Sequence, residues 1–215
     1  MEEKKDEIKE FRFECTRCGN CCTDKNTLVN VTYLDILRIK KGLNLTLEEV
    51  IEILGFYIFD EESTEEDRKK MVISPILTEK GLAHIGILKK SSGACYFYDE
   101  NNKGCKIYKL RPMFCRTFPF SFKILFDKIN KSKAKIKLFY TEKGKQYCPG
   151  IGSDAPIIKD SEWIKIGKQT IEDLNDNSLF IDQWNRAVIK EQISPTVRNL
   201  LLTIFNFDDK IRRKK

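Results

Sequence analysis

The chain has 215 residues, of which 41% are hydrophobic and 33% charged, so it has enough apolar material for a folded core and is not a wholly disordered protein. An excess of Lys and Arg (39) over Asp and Glu (32) gives a net charge of +7, which is compatible with an anionic partner without specifying one. The single histidine, His84, excludes histidine-rich metal chemistry and excludes a Ser/His/Asp triad at any other position.

Neither a membrane span nor a secretory signal is predicted. The most apolar short run, residues 200–205, is far shorter than the ~20 residues that a spanning helix needs. The first ten residues have no apolar segment of the kind found in secretory signals, so we expect a cytoplasmic protein. The basic run 210–215 is interpreted as a solvated end.

The first third of the chain predicts a short strand and two helices. The strand covers residues 28–31. Thr32 can cap a helix over about 33–41, and Gly42 is expected to end it. Residues 46–49 form a capping-box sequence, which begins the second helix.

The middle of the chain is rich in predicted strands. The charged segment 60–70 that precedes them is interpreted as a surface loop or a lid. Strands are predicted at 71–77, 82–89, 95–98, 121–126 and 134–140, the last two forming a hairpin around 128–131.

The last third is predicted to be helical. Two helices are expected, at 161–175 and 178–192. Ser194 and Pro195 then supply an N-cap and a first-turn proline for a helix that runs to about residue 205. We therefore predict an α+β fold, with a cysteine-rich metal-binding domain of short strands and loops at 11–152 and a helical extension at 153–215 packed on it.

Eight cysteines are the most informative feature of the sequence. They are Cys15, Cys18, Cys21, Cys22, Cys95, Cys105, Cys115 and Cys148. Four of them lie within eight residues, a crowding that suits a metal site better than long-range disulfides, and no secretory signal is predicted. We interpret all eight as candidate metal ligands and expect them to converge in the fold.

The spacing of the first cysteines favours iron over zinc. A C-x2-C-x2-C run with a distant fourth cysteine, often followed by proline, is typical of iron–sulfur clusters, whereas zinc sites use paired C-x2-C knuckles. Adjacent side chains tend to diverge, so we do not expect Cys21 and Cys22 to bind one small centre. Two groups of four follow, in which Cys148-Pro149 completes the first. The preferred cofactor is an iron–sulfur cluster of the 4Fe–4S type, with Zn²⁺ as the alternative.

A longer pattern extends over residues 13–152. It consists of the CxxCxxCC run at 15–22, Cys95, Cys105-x-Ile-Tyr, Arg111-Pro112-x2-Cys115-Arg116-x-Phe118-Pro119 and Cys148-x-Gly150. This pattern resembles the CxxCxxCC cysteine-cluster family of zinc- or iron-chelating proteins, also called YkgJ-like Fe–S-cluster-containing proteins. The resemblance implies a bound metal and leaves open whether the protein is an enzyme.

Arginines and aromatic residues surround the later cysteines. Arg111 and Arg116 flank Cys115 and are candidates to hold an anionic substrate or to donate to cluster sulfurs. The alternative is an ion pair that fixes the loop. The aromatic residues are interpreted as a shield of the metal from water; they are Tyr96, Phe97, Tyr98, Phe114, Phe118 and Phe120. His84, Trp163 and Trp184 are expected in the core.

Two hypotheses about function remain open on the sequence. The first is an iron–sulfur protein, either a redox protein or a cluster-dependent enzyme. The second is a zinc-stapled binding module that docks a partner through a basic surface. The partner would be a protein or another anionic molecule; no membrane is expected, and nothing specifically indicates a nucleic acid.

Overall fold

The computed structural model describes residues 10–58, 71–126 and 134–212, and within them the fold is α+β with a helical C-terminal region, as the sequence predicts. The predicted loop or lid at 60–70 and the hairpin tip at 128–131 lie outside the described residues, as does most of the lead-in before residue 10. No helix within the described ranges is both long enough and apolar enough to span a membrane.

Helices occur in two groups, short ones near the cysteines and longer ones in the core. They are α1 Asn20–Thr23, α2 Tyr33–Leu43, α3 Leu47–Ile53, α4 Met113–Thr117, α5 Glu142–Tyr147, α6 Asp160–Ile189 and α7 Val197–Arg212, with a 3-10 turn at Tyr108–Leu110.

Three small antiparallel sheets lie between these helices. The strands are β1 Leu54–Tyr57, β2 Ile76–Thr78, β3 Gly81–Ile87, β4 Tyr98–Asp99, β5 Gly104–Cys105, β6 Phe120–Phe126 and β7 Ala134–Tyr140. The first sheet has the order β1-β3-β2, and the pairs β4-β5 and β6-β7 form the other two. The β6-β7 pair confirms the predicted hairpin strands, with Phe120 opposite Tyr140.

Helices α2 and α3 begin at capping boxes. The Thr32 hydroxyl accepts from the Asp35 amide at 3.1 Å, and the Asp35 carboxylate accepts from the Thr32 amide at the same distance. Thr46 and Glu49 make the equivalent pair of bonds at the start of α3. Each box satisfies amides that would otherwise be unpaired at a helix start, which explains why both helices were predictable.

Two boundaries in this region differ from expectation. Gly42 lies inside α2, and the helix ends instead where Asn44 adopts a left-handed conformation (φ 53°), which asparagine tolerates. The strand predicted at 28–31 is only a single bridge, between Asn30 and Gly86. It stays short because α2 begins at Tyr33 and takes the chain away from the sheet.

Helix α6 is one continuous helix, so the prediction of two helices at 161–175 and 178–192 is wrong. The polar residues around the expected break do not interrupt it. Asn177 is buried, and its side-chain oxygen accepts from the amide of Tyr33 at 2.9 Å. The Asn177 side chain therefore satisfies a backbone amide at the N-terminus of α2. The sequence around Asn177 does not reveal this long-range contact.

The main core joins the C-terminal helices to α2, α3 and β3. Ile39, Val50, Ile87 and Leu201 are among its almost fully buried members. Trp184, as predicted, lies in this core, with its indole N–H donating to the carbonyl of Leu77 at 2.9 Å. The division into two domains after residue 152 stays a prediction.

A second, smaller cluster lies under the β6-β7 hairpin. Phe120 and Tyr140 are buried in it, and their rings stack with centroids 4.9 Å apart. Trp163 is partly buried against this cluster, 4.4 Å from the Phe120 ring. His84, on β3, is buried as expected, and burial lowers its pKa.

Candidate metal centre

All eight cysteines line one cavity of about 80 Å³. They are free thiols. Residues separated by up to two thirds of the chain thus converge, as the spacing predicted. One water molecule needs about 10–15 Å³ of such cavity volume. A cavity of about 80 Å³ therefore has room for more than one metal ion.

The N-terminal cysteine loop turns through two residues with positive φ. Arg17 has φ 55° and Gly19 has φ 82°. The Gly19 carbonyl accepts from the Cys22 amide at 2.8 Å, which begins α1. A Cβ atom at position 19 would lie 2.5 Å from the hydroxyl oxygen of Tyr98, so glycine is required both for the turn and for the close approach of this ring.

The side chains of Cys21 and Cys22 do not diverge as expected. Their Sγ atoms are 3.9 Å apart, and both side chains line the cavity. Both residues lie in the single turn of α1, which runs along the cavity wall. The hydrogen bond between them lowers the pKa of Cys21 to about 7 and raises the pKa of Cys22.

The later cysteines come from four separate elements. Cys105 is in β5 and Cys115 in α4, while Cys148 follows α5 as its C-cap. Cys95 is tied to the N-terminal loop, because its amide donates to the Cys22 carbonyl at 2.8 Å. Burial raises the pKa of all four thiols, so they are protonated at neutral pH without metal, and a bound metal must displace these protons.

Electrostatic effects among the thiols indicate two overlapping neighbourhoods. Besides burial, the thiols that raise the pKa of Cys148 are Cys18, Cys21 and Cys15. Those that raise the pKa of Cys115, again after burial, are Cys21, Cys95 and Cys105. Cys21 belongs to both lists, and Cys15 also raises the pKa of Cys105, so the two neighbourhoods overlap.

Backbone contacts hold the Cys148 segment against the start of the cysteine loop. The Glu14 amide donates to the Gly150 carbonyl at 3.1 Å. A Cβ atom at position 150 would collide with the carbonyl oxygen of Glu14, which explains the glycine two residues after Cys148. The Asn20 side chain also donates to the Tyr147 carbonyl at 3.0 Å.

A charged cluster around Asp24 links three of the cysteine segments. Lys143, on α5, contacts the Asp24 carboxylate at 2.9 Å, and the Lys89 ammonium donates to the Asp24 carbonyl. The hydroxyl of Thr27 and the Lys143 ammonium hold the pKa of Asp24 well below its usual value. Asp24 therefore positions the loop and is not available as an acid.

A buried carboxylate anchors the segment that carries Cys115. Asp35 is fully buried and accepts from the Met113 amide at 2.9 Å, at the start of α4. It also pairs with Arg38 at 2.8 Å, and the Arg38 guanidinium donates to the Arg111 carbonyl at 3.2 Å. The anchoring role of Asp35 was not predicted from the sequence. Its only local signal is the spacing of an acidic residue three positions before an arginine on α2.

The two predicted arginines occupy different places. Arg111 lines the cavity, and its charge opposes the effect of burial on the pKa of Cys105 and Cys115. Arg116 is exposed and is not part of the lining. The charged residues around it are Arg38, Asp35, Asp173 and Arg111.

Aromatic residues form much of the remaining wall. Of the six named from the sequence, Phe97, Tyr98 and Phe118 line the cavity, and Tyr96, Phe114 and Phe120 do not. The wall also contains Phe13, Tyr108 and Tyr147, which sequence reasoning did not select. Tyr147 stacks on Phe118 with centroids 5.9 Å apart.

Comparison with known proteins bears on this site. Residues 14–149 match the family model described as "CxxCxxCC: Putative zinc- or iron-chelating domain". The chain belongs to this family. It is also 29% identical over 177 residues to "Uncharacterized protein MJ0661" of Methanocaldococcus jannaschii, an alignment that covers 81% of this chain and 78% of the relative. No solved structure matches the chain.

The donor set fits the metals named for the CxxCxxCC family. Thiolates are soft ligands that select zinc and iron–sulfur clusters over hard cations. Within the described ranges, no three Cys, His, Asp or Glu side chains are grouped as a ready-made site for a metal ion. The assignment of a zinc- or iron-chelating domain rests on the family match, and the candidate ligands are the eight thiols around one cavity.

Proposed function

We propose that the protein is an iron–sulfur protein whose eight cysteines ligate clusters of the 4Fe–4S type. The observation that carries the proposal is the convergence of eight free thiols on a cavity larger than one ion requires. Iron–sulfur clusters supply one-electron redox chemistry or substrate activation. We accordingly propose a redox protein or a cluster-dependent enzyme, located in the cytoplasm, where thiols stay reduced.

The two thiol neighbourhoods support two groups of four ligands. One group is Cys15, Cys18, Cys21 and Cys148. The other is Cys22, Cys95, Cys105 and Cys115. The pKa effects among the thiols follow this division in part: Cys21 affects thiols of both groups, and Cys15 of the first group raises the pKa of Cys105 in the second. Each 4Fe–4S cluster takes four cysteines, so the count leaves no thiol unused.

The residues around the thiols have roles that suit such a centre. Arg111 provides a positive charge beside thiolates that become more negative when a cluster is reduced. Phe97 and Phe118 exclude water from the cavity wall, which affects cluster potential. Asp24 and Asp35 hold the segments of Cys148 and Cys115 in position.

Zinc is the second candidate, and one distance favours it. In a tetrahedral site with Zn–S bonds of about 2.3 Å, the sulfurs are about 3.8 Å apart. The Cys21 and Cys22 Sγ atoms are 3.9 Å apart, which suits two ligands of one ion. In this case the metal stabilises the fold, and the protein acts by binding a partner.

A basic surface supports that second function. On the outer face of the β6-β7 hairpin, Lys123 lies directly opposite Lys137, a like-charge pair that destabilises a sheet. Lys135 shares this face. Leu125 and Phe139 beside them are 44% and 37% exposed. An anionic partner would relieve the repulsion and cover the apolar side chains.

Visible spectroscopy of anaerobically purified protein tests the first proposal. We expect the broad absorption of thiolate-bound iron–sulfur clusters, reduced in Cys18→Ser and in Cys95→Ser, which remove one ligand from each group. Asn26→Ala, an exposed side chain that follows the cysteine run and lies outside the cavity lining, serves as the control and should leave the spectrum unchanged. A colourless wild-type protein that holds zinc would instead support the binding module.

A further inference from the structure

Two arginine side chains lie over one tyrosine ring at the edge of the cysteine cavity. The guanidinium carbon of Arg17 is 4.4 Å from the ring centroid of Tyr108, and that of Arg111 is 3.9 Å from it. All three residues line the cavity. Arg17 is exposed and Arg111 half-buried, so the group faces solvent.

No carboxylate of the described chain forms an ion pair with either guanidinium. Both guanidinium groups contact the same ring, so their charges are less than about 10 Å apart. This is within the Debye length at about 0.1 M salt, so the two charges repel each other. Attraction to the face of the Tyr108 ring offsets part of this repulsion. An oxyanion that reaches both groups would remove it.

Arg111 and Arg17 have different neighbours. Arg111 lowers the pKa of Cys21, Cys105 and Cys115, so its charge lies close to these thiols as well as to the ring. The contacts of Arg17 are with Tyr108. Arg17 is exposed, so its guanidinium is the more accessible of the two to an anion from solvent.

The backbone of Arg17 gives a second reason to assign it a role. Its φ of 55° is in the left-handed region, which costs conformational energy for a residue with a Cβ. Such outliers persist where the surrounding structure needs them. Here the conformation brings the guanidinium over Tyr108, between Cys15 and Cys18 in the chain.

We propose that Arg17, Tyr108 and Arg111 form a binding site for a small anion that carries a carboxylate or a phosphate group. A guanidinium presents parallel N–H donors that match the two oxygens of these groups. Two such forks at one ring select an anion with several oxygens over a halide. The site lies in the wall of the metal cavity, which places the anion beside the centre.

Tyr108 connects this anion site to a candidate ligand. The Cys15 thiol lies beside its hydroxyl and raises the pKa of Tyr108. Anion binding on the ring face therefore alters the surroundings of a cluster thiolate. This step rests on the proposed function, since it takes Cys15 as a ligand; the binding of the anion does not.

Calorimetric titration of the metal-loaded full-length protein tests the proposal. Inorganic phosphate and malonate are the two probes, and binding of either one supports the site while showing which group it prefers. Arg17→Ala should weaken binding by about tenfold or more, and Arg17→Lys should restore only part of it because lysine lacks the planar fork. Arg186→Ala, an exposed arginine on α6, is the matched control and should bind as the wild type does.

A second variant separates the anion site from the cluster. Tyr108→Phe keeps the ring and removes the hydroxyl, which lies beside both Cys15 and Arg17, so anion affinity should fall somewhat and the spectra are compared at saturating anion. In the wild type, saturation with the anion should shift the visible spectrum of the iron-loaded protein, and Tyr108→Phe should lose this shift.

The outcomes distinguish the two proposals. Absence of binding of both probes to metal-loaded wild type overturns the anion site, as does equal affinity of Arg17→Ala and Arg186→Ala. If the protein holds zinc and no iron, the iron–sulfur proposal fails, while loss of anion binding in Arg17→Ala would still support the site.

Discussion

The helical core and the cysteine cavity of this protein are held together in different ways. In the core, α2, α3, α6 and α7 bury aliphatic side chains such as Ile39, Val50 and Leu201 against one another. Around the cavity, short elements are joined by single backbone bonds and by two charged anchors, Asp24 and Asp35. The core is stabilised mainly by apolar burial, with a few buried hydrogen bonds such as that from the Tyr33 amide to Asn177, whereas the cavity brings together eight thiols that repel once ionised. On the proposed function, a bound metal is what joins the segments of this second region.

Removing the metal should give the largest difference between the two regions. We expect amides of the cysteine loop and of α4 to lose hydrogen-exchange protection by about tenfold or more, because the metal no longer joins these segments. Helices α6 and α7 should keep most of their protection, and so should α2 and α3, which share their core. Exchange measured with and without chelator checks this. Equal loss in the core and around the cavity would show that the metal supports both.

The second prediction concerns Asp35, which serves both regions. Asp35→Ala removes the acceptor of the Thr32 amide and of the Met113 amide, and leaves Arg38 without its partner. We expect a loss of about 3 kcal/mol in the free energy of unfolding. Metal content should also fall, because the Cys115 segment loses its anchor.

A matched capping box provides the control for Asp35. Glu49→Ala breaks the same motif at the start of α3, where the carboxylate is exposed and contacts no cysteine segment. Chemical denaturation and metal analysis of both variants should show a far smaller loss of stability and normal metal content for Glu49→Ala. Normal metal content in Asp35→Ala would contradict the anchoring role.

The buried thiols predict how the metal-free protein responds to pH. Burial raises the pKa of Cys95, Cys115 and Cys148 above the ordinary value of 9.0, so the folded state holds these protons more tightly than the unfolded state does. Stability is therefore complete below that value and is lost as the pH rises above it. Denaturation at about pH 8 and about pH 10 should show the decrease. Cys115→Ser should reduce the slope; an unchanged slope would mean that the buried thiols do not cause it.

The smallest expected effect is on the potential of the centre. Arg111→Ala should lower the reduction potential, because the more negative reduced state loses a neighbouring positive charge. Arg116 was expected to act in the same way. Since it lies outside the cavity lining, Arg116→Ala should shift the potential less than Arg111→Ala does. Voltammetry on the two variants compares them directly, and a larger shift for Arg116 would reverse the assignment.

Local patterns predicted the elements of this fold well and its long-range contacts poorly. The capping boxes at Thr32 and Thr46 mark helix starts, because the bonds that form them lie within four residues. The division of α6 was wrong because Asn177 bonds to the amide of Tyr33, far away in the chain. The prediction of a strand at 28–31 was wrong for a similar reason. The start of α2 at Tyr33 limits this strand to a single bridge.

The candidate site shows the same contrast. The spacing of the cysteines predicted correctly that they share one cavity, because thiols that bind a common metal centre must converge in any fold. The expectation that the Cys21 and Cys22 side chains diverge was wrong. It was based on the local backbone alone, whereas both side chains face the same cavity. The role of Asp35 and the position of Arg17 over Tyr108 depend on contacts between distant segments, which no spacing encodes.

Metal and sulfide analysis of anaerobically purified protein tests the central claim most directly. The account predicts about four iron atoms and four acid-labile sulfides for each group of four cysteines. Zinc in stoichiometric amount, with neither iron nor sulfide, would contradict the iron–sulfur assignment.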